Sequence, residues 1–333
     1  MSLIPDISNA DYHAGDRLSQ STAKLLETKT PMHVRHELDN PKPDDFPPYL
    51  VGGCTHTAVL EPGKLQEEYD CLPDEIDGKS SRTAHYKEAV KELKAPNPGV
   101  RWMKKADYDL SLTMADALLG NKFLSERLAN VENLVEHSGF FTYEGAECKL
   151  RPDLFCPEEK LVIDLKTTAG EASPRGFASS VKRYGYAFQA AFYLEGLRSL
   201  GIPATSFVFI VVEKAAPHAV GVYRLSGSDI RAELPRVQSA CRTWAMCKSA
   251  DVWPGYSSEC VELDLHPFSD KRRLSLREIQ EQFGASPYLA NQVMEDYRLD
   301  VKWIGNRKTV DAGDFQNAWR GFQAGKNKAE EAA

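Results

Sequence analysis

The sequence predicts an α/β (α+β) fold, with a mixed central sheet flanked by helices and followed by a small C-terminal helical appendage. Three observations carry this. From Val131 onward, apolar and aromatic runs are broken by turn residues at EGAE and PEEK, the mark of consecutive antiparallel strands. A long helical stretch comes next, and then SFVFIVVEK, apolar almost throughout and so of central-strand type. Strands, helix, strands and helix in that order describe a layered domain.

The order of elements follows from local signals. In LSQSTAKLLETKTP, Ser19 or Ser21 is expected to cap a short helix that Pro31 stops. A proline-rich loop, NPKPDDFPPY, leads to VGGCTHTAVLEP, read as a glycine entry to a helix ended by Pro62, with His56 and Leu60 on one face. Residues 82–94 and 103–129 have helical composition and are separated by APNPG, so the region 1–130 is expected to be mainly helical. After the strands of the core comes one long helix, FASSVKRYGYAFQAAFYLEGLRSLG, ending at Gly201. HAVGVYRL is a further strand, and SDIRAELPRVQSACRTWAMCKSA a last helix in which Pro235 marks a kink or restart.

These segments make one body, residues 1–268, with its sheet core in 131–268. The stretch 269–324 differs in character. LSLREIQEQFGASPYLANQVMEDY reads as helix, turn at Phe283 to Ser286, and helix, with Ser286 and Pro287 as N-cap and first helical residue. VKWIGNRKTV reads as a hairpin turning at Gly305 and Asn306. A helix-turn-helix with a wing is a DNA-binding layout, in which Arg298, Lys302, Arg307 and Lys308 would meet phosphates. A small protein-contact or oligomerisation domain fits the same pattern. The tail 325–333 is expected to be disordered.

Composition bounds the function. With 42% hydrophobic and 27% charged residues, the 333-residue chain can bury a core and is not of disordered type. There is no basic leader ahead of an apolar stretch and no run of about eighteen apolar residues, so a cytoplasmic protein without membrane contact is expected, in a bacterium or a phage-infected host cell. Seven scattered cysteines suit free thiols in a reducing compartment; Cys241, Cys247 and Cys260 lack the tight pair expected of an iron-sulfur ligand set. A net charge of −7 argues against binding nucleic acid by bulk attraction, although residues 271–328 hold 11 Lys/Arg against 7 Asp/Glu.

The chemistry concentrates in KLRPD and LVIDLKTT. In a strand, Val162, Asp164 and Lys166 share one face, and Leu161, Ile163 and Leu165 the other. Burying Asp164 and Lys166 without partners would cost several kcal/mol, on the order of 3–5 for a broken buried pair. If PEEK turns a hairpin, Asp153 arrives beside Asp164, and the two carboxylates make a hard-oxygen site suited to Mg²⁺ or Mn²⁺. Alone, PD, a gap and DxK also describe an ion pair on an edge strand. Downstream, Gln189 and Tyr193 in QAAFY stand at i and i+4 on one helix face.

GxxxH, PD, DLK and QxxxY in this order resemble the RecB-like branch of the PD-(D/E)XK nuclease superfamily, and in particular the RecE-type exonuclease VIII nuclease domain and its phage relatives. The resemblance spans residues 10 to about 268, including Tyr12 and the closing WPGY. It implies a restriction-endonuclease-like core, with Asp153, Asp164, His56 and the backbone carbonyl of Leu165 as metal ligands. Lys166 would position or activate water, and Gln189 and Tyr193 would support the site and contact the strand. Glu61 would be a helix-end acid within reach of the metal site. The family's activity is Mg²⁺-dependent digestion of linear duplex DNA from 5′ ends, leaving 3′ strands for a partner annealing protein in recombination, by ring-shaped homo-oligomers. Asp164 stands where many relatives have Glu. Cas4-like or endonucleolytic relatives, and a non-catalytic DNA-binding protein on the same core, are the alternatives; an intact Asp153, Asp164 and Lys166 set weighs against the last.

Overall fold

A computed structural model describes residues 3–41, 47–76, 78–97, 99–257, 260, 273–304 and 307–330. Contacts divide the chain into two units between Tyr256 and Ser257. The first opens with α1 (Asn9–Ala14), α2 (Gln20–Leu26), α3 (Pro31–Asp39) and α4 (Pro47–Leu60). Ser19 caps α2 by accepting from the Thr22 N–H. Pro31 does not stop that helix; it opens α3, where a residue without an N–H loses nothing. The helix carrying His56 begins at Pro47, ahead of the glycine pair expected to start it.

After α5 (Leu65–Glu68) come four short strands, β1 (Tyr69–Leu72), β2 (Glu75–Ile76), β3 (Lys79–Ser80) and β4 (Arg101–Lys104), with α6 (Ala84–Lys94) between the last two. The helical stretch expected over 103–129 is therefore strand at its start, because β4 pairs in parallel with β1. It then divides into α7 (Lys105–Leu119) and α8 (Lys122–Leu128), the second capped by Asn121.

The sheet region contains β5 (Leu134–Val135), β6 (Gly139–Tyr143), β7 (Ala146–Leu150), β8 (Leu154–Cys156) and β9 (Leu161–Thr168). The EGAE and PEEK segments turn the β6–β7 and β8–β9 antiparallel pairs as the sequence indicates. Next are α9 (Pro174–Tyr184) and α10 (Tyr186–Ser199), where one long helix was expected. Gly185 separates them with φ 64° and ψ 42°, a left-handed conformation open to glycine at no steric cost and incompatible with a continuous helix. β10 (Ser206–Glu213), β11 (Val220–Arg224), α11 (Gly227–Ala232) and α12 (Leu234–Ala250) complete the unit, and Pro235 lies in the first turn of α12, a restart.

The central sheet has the order β11-β10-β9-β8-β5 and is mixed: β9 and β10 run parallel, while the other neighbours are antiparallel. Alternation along the strands divides the core in two. Val162, Phe207 and Phe209 pack with Phe188 and Ala191 of α10 and Trp244 of α12. Leu161, Ile163, Leu165, Val208 and Ile210 pack with Val51 and Cys54 of α4 and Met114 of α7. Helices thus cover both faces, and Asp164 enters an otherwise apolar layered core.

The second unit consists of β12 (Arg273–Ser275), α13 (Leu276–Phe283), α14 (Pro287–Asp296), β13 (Val301–Ile304), β14 (Arg307–Asp311) and α15 (Ala312–Glu330). Its sheet has the order β12-β14-β13, and its own core includes Leu274, Ile279, Val293, Val310 and Phe315. A capping box at Ser275 and Glu278 starts α13, and Ser286 caps α14. The hairpin turn expected at Gly305 and Asn306 lies outside the described residues. α15 continues to Glu330, so the stretch 325–333 expected to be disordered is helical as far as Glu330, and 331–333 lie outside the described residues. Among the described residues no helix is long and apolar enough to cross a membrane. All seven cysteines are free.

Candidate functional site

The β8–β9 ladder stops at the pair Leu154 and Ile163, so from Asp164 onward β9 keeps its β10 neighbour and has none in β8. A buried backbone donor left without an acceptor costs about 1–3 kcal/mol. Asp153, immediately ahead of β8, supplies the acceptor: the Leu165 N–H donates to its Oδ2 at 2.5 Å. The break in the ladder therefore brings the Asp153 carboxylate to the strand that holds Asp164. It is the backbone N–H of Leu165 that makes this contact.

Asp164 is 2% exposed. Gln189 of α10 donates from Nε2 to its Oδ2 at 2.5 Å, and the Lys166 ammonium is ion-paired with its Oδ1. Lys166 also stands over the rings of Tyr186, at 5.1 Å, and Phe209, at 5.7 Å. Burial works against its charge, but the Asp164 and Asp153 carboxylates outweigh burial and hold its pKa above the ordinary lysine value. Lys166 is a cation in this setting.

His56 reaches the same place from α4, with Nδ1 3.5 Å from Asp153 Oδ2. The GG pair ahead of it has a packing reason: a Cβ on Gly53 would collide with the Tyr69 hydroxyl, so only glycine lets α4 pass Tyr69. Glu136, which no sequence motif marked, completes the group. It follows β5, whose pairing Val135 to Leu154 sets residue 136 against residue 153, and its N–H donates to the Asp153 carbonyl at 3.2 Å. One donor atom from each of His56, Glu136 and Asp153 lies within 4.8 Å of the others. The available signal was an acid at the end of a short strand predicted to join the Asp153 hairpin.

Negative charge is concentrated here. Burial first, and the Asp164 carboxylate second, push Asp153 up to about 6 against the opposing pull of His56, Lys166 and the Leu165 N–H. Burial and then the Asp153 carboxylate raise Glu136 well above the ordinary carboxylate range. An imidazole and two carboxylates, crowded and short of cationic neighbours, form a donor set that fits a hard divalent ion such as Mg²⁺ or Mn²⁺. A cleft of about 300 Å³ lined by Gly52, His56, Glu61, Tyr69 and Glu136 opens onto this group. Glu61 in that cleft accepts from Lys64 Nζ at 2.5 Å.

Tyr193 and Gln189 are both buried and act on the protein itself instead of reaching out to a strand. The Tyr193 hydroxyl donates to the Arg151 carbonyl at 3.2 Å, two residues ahead of Asp153. From the other side, the Arg151 guanidinium donates to Ser138 Oγ, Asn9 Oδ1 and the Ile7 carbonyl, each at 2.8 Å, and stacks on Tyr12 at 4.1 Å. Arg151-Pro152-Asp153 is thereby clamped, which explains the placement of Tyr12 in the pattern.

The four cations assigned to DNA in the second unit do not share one surface. Arg298, Lys302 and Arg307 are exposed. Lys302 and Arg307 fall on one face of the β13–β14 pair, given the register Lys302 to Thr309 and Ile304 to Arg307. Lys308 projects from the other face and donates to Asn291 Oδ1 of α14 at 2.6 Å. The adjoining cleft is bordered by Glu278, Glu281 and Glu295 as well as Arg307 and Lys308.

Residues 19–266 match the family model of a PDDEXK-like domain of unknown function (DUF3799). Among solved structures, a protein of Eubacterium rectale called a "Putative exonuclease" is similar at 14% identity with a TM-score of 0.53, over 81% of this chain and 99% of its own. A phage-related exonuclease of Haemophilus somnus 129PT matches at 12% identity with a TM-score of 0.31, over 60% of this chain and 95% of its own. No curated protein matches. The first likeness is one of fold, and it agrees with the mixed, helix-flanked sheet.

Proposed function

Since the chain belongs to the PDDEXK-like family DUF3799, we propose that it is a divalent-metal-dependent nuclease that hydrolyses the phosphodiester bonds of linear double-stranded DNA from its ends. The observation that carries this reading is the convergence of His56, Glu136 and Asp153 within 4.8 Å of one another, beside the buried Asp164 and Lys166 pair. Structural ion pairs do not need a third and fourth donor, or a cleft opening onto them.

His56, Glu136 and Asp153 would hold the ion, with Asp164 and the Leu165 carbonyl as further candidate ligands. When bound, a divalent cation lowers the pKa of a coordinated water and neutralises charge on the phosphoryl oxygens. The chain's own residues set the stage for that chemistry. Lys166, kept charged by two carboxylates, supplies an ammonium to orient the attacking water or stabilise the charge that builds on the phosphate. Gln189 fixes Asp164 by donating to one of its oxygens, and Tyr193 fixes the backbone that leads to Asp153.

The finer assignment rests on the resemblance to RecE-type enzymes: Mg²⁺ as the ion with Mn²⁺ as substitute, digestion 5′ to 3′, a ring-forming homo-oligomer, an annealing partner in recombination, and residence in the cytoplasm of a bacterium or infected host. The nearness of a structure called a "Putative exonuclease" in fold supports the exonuclease part. Arg298, Lys302 and Arg307 of the second unit would add phosphate contacts.

The test is digestion of end-labelled linear duplex and of covalently closed circles with Mg²⁺. Linear DNA should be degraded and closed circles spared, and 5′ and 3′ labels read the polarity. Asp164→Ala and Lys166→Ala should each abolish digestion. Equal cutting of closed circles would overturn the exonuclease assignment, and no cutting of either with Mg²⁺ or Mn²⁺ would overturn the enzymatic one.

A further inference from the structure

The metal donors account for one side of Lys166; a second and larger cavity lies on the other. It occupies about 720 Å³ between α2, α9, α10 and the α11–α12 junction, and is lined by Lys24, Val181, Lys182, Arg183, Tyr184 and Leu225, among others. That size lies within the usual range of small-ligand clefts, about 300–1,000 Å³. Its interior includes Leu25, Ala178, Val181, Ala187 and Leu225, whereas its cations stand at the polar boundary. Among the described residues no carboxylate pairs with Lys24, Lys182 or Arg183, in contrast to Arg236, which is bound to Glu27 and Glu233.

The cavity is joined to the Asp164 and Lys166 pair by a short run of contacts. Lys24 donates from Nζ to the Tyr184 carbonyl at 2.9 Å. The rings of Tyr184 and Tyr186 are 5.7 Å apart, and Tyr186 carries the Lys166 ammonium at 5.1 Å. Arg183 lies 5.4 Å from the centroid of Tyr184. Tyr184 itself is 47% exposed, an aromatic face presented to solvent at the mouth of an apolar cavity. Lys24 feels the site electrostatically: burial first and the Lys166 charge second lower its pKa.

An apolar interior, an exposed ring and unpaired cations at the rim match the chemistry of an unpaired nucleotide, which offers a stacking face and a phosphate together. A peptide or apolar ligand would have no use for three unpaired cations, and duplex DNA is too wide for a cavity of this volume. We infer that this cavity receives an unpaired nucleotide of the DNA strand whose phosphodiester lies at Lys166, with the base stacked on Tyr184 and the backbone held by Lys24, Lys182 and Arg183. The inference rests on the nuclease reading for the identity of the strand. It adds that the enzyme separates the terminal nucleotide from its complement and holds it by stacking. Gly185 is part of the device, because its left-handed turn breaks the helix where Tyr184 is displayed, and a Cβ there would meet Lys24 at 3.0 Å.

The experiment is binding of short single-stranded DNA carrying 2-aminopurine, in buffer with EDTA so that no hydrolysis intervenes. Wild-type protein should quench the fluorophore on binding. Tyr184→Ala should weaken binding by roughly 5- to 150-fold, the effect of losing one base–aromatic stack, and should abolish quenching. Tyr184→Phe should bind within about twofold of wild type, since the stacking face is retained. The double variant Lys182→Ala, Arg183→Ala should keep the quenching and bind with a shallower salt dependence. Wild-type quenching that survives Tyr184→Ala, or its absence from the wild type, overturns the inference. Quenching that follows this pattern in a protein that cuts no DNA with Mg²⁺ or Mn²⁺ would sustain the pocket while sinking the nuclease reading. Digestion unaffected by Tyr184→Ala, with no quenching, would do the reverse.

Discussion

Gln189 and Asp164 are joined by a buried 2.5 Å hydrogen bond in which the amide donates to the carboxylate oxygen that Lys166 leaves free. With 25 residues between them in sequence, they meet because α10 lies across the face of β9 that carries Val162, Asp164 and Lys166. Gln189→Leu removes the donor while keeping the volume, leaving that oxygen buried and without a protein partner. Loss of a group that orients a ligand commonly costs 10- to 100-fold in metal affinity or activity. The expected result is a drop of about that size in digestion rate with Mg²⁺. Gln189→Glu should be worse, because it sets a second carboxylate against Asp164. Full activity in Gln189→Glu would remove Gln189 from the site.

The Asp164 and Lys166 pair makes a stability prediction independent of catalysis. Removing one partner of a buried pair strands the other charge and costs about 3–5 kcal/mol, whereas removing both is far milder. Lys166→Met should therefore lower the melting temperature markedly. Asp164→Asn in the same chain should recover most of the loss. Thermal unfolding of the two single variants and the double variant, without metal, gives the coupling directly. Additive effects would show that the pair is not coupled in the folded protein.

Acid crowding fixes the sign of a pH effect in metal-free protein. Asp153 is raised from an ordinary carboxylate value to about 6, and Glu136 is raised as well. In that window the folded state binds more protons than the unfolded state, so stability falls as pH rises from about 4 towards 6. A divalent ion binds the deprotonated groups, so its stabilising effect should grow over the same interval. Melting curves at pH 4.5, 5.5 and 6.5, with and without Mg²⁺, check both slopes. A metal-free protein that grows steadily more stable from pH 4.5 to 6.5 would contradict the arrangement.

Much of this site is legible in the sequence because it depends on strand periodicity and on one hairpin. The alternation in LVIDLKTT sets Asp164 and Lys166 on one face, and PEEK brings Asp153 beside them. What escaped depends on contacts across elements. Glu136 reaches the site through the pairing of β5 with β8, two residues long and too short for any pattern to show. Arg151 and Tyr12 meet across the whole N-terminal segment. The helix break at Gly185 was hidden because glycine also occurs inside helices, and only its φ reveals the turn. Pro31 was read as a stop because a proline between two helices is equally compatible with ending one or starting the next.

The two faces of Glu136 allow a prediction in which one substitution moves two measurements in opposite directions. In the metal-free protein Glu136 is an acid held against Asp153 in a place where burial already penalises charge. Glu136→Gln keeps the shape and removes the repulsion, so the metal-free protein should melt higher than wild type near neutral pH. The same change withdraws one of three donors within 4.8 Å, so Mg²⁺ or Mn²⁺ should bind more weakly and raise the melting temperature less. A residue that merely packs would move neither measurement in this paired way. A residue that served only as a buried ion-pair partner would destabilise the protein when neutralised. The outcome that sinks the assignment is a Glu136→Gln protein that binds Mn²⁺ as tightly as wild type in a calorimetric titration, whatever its melting temperature.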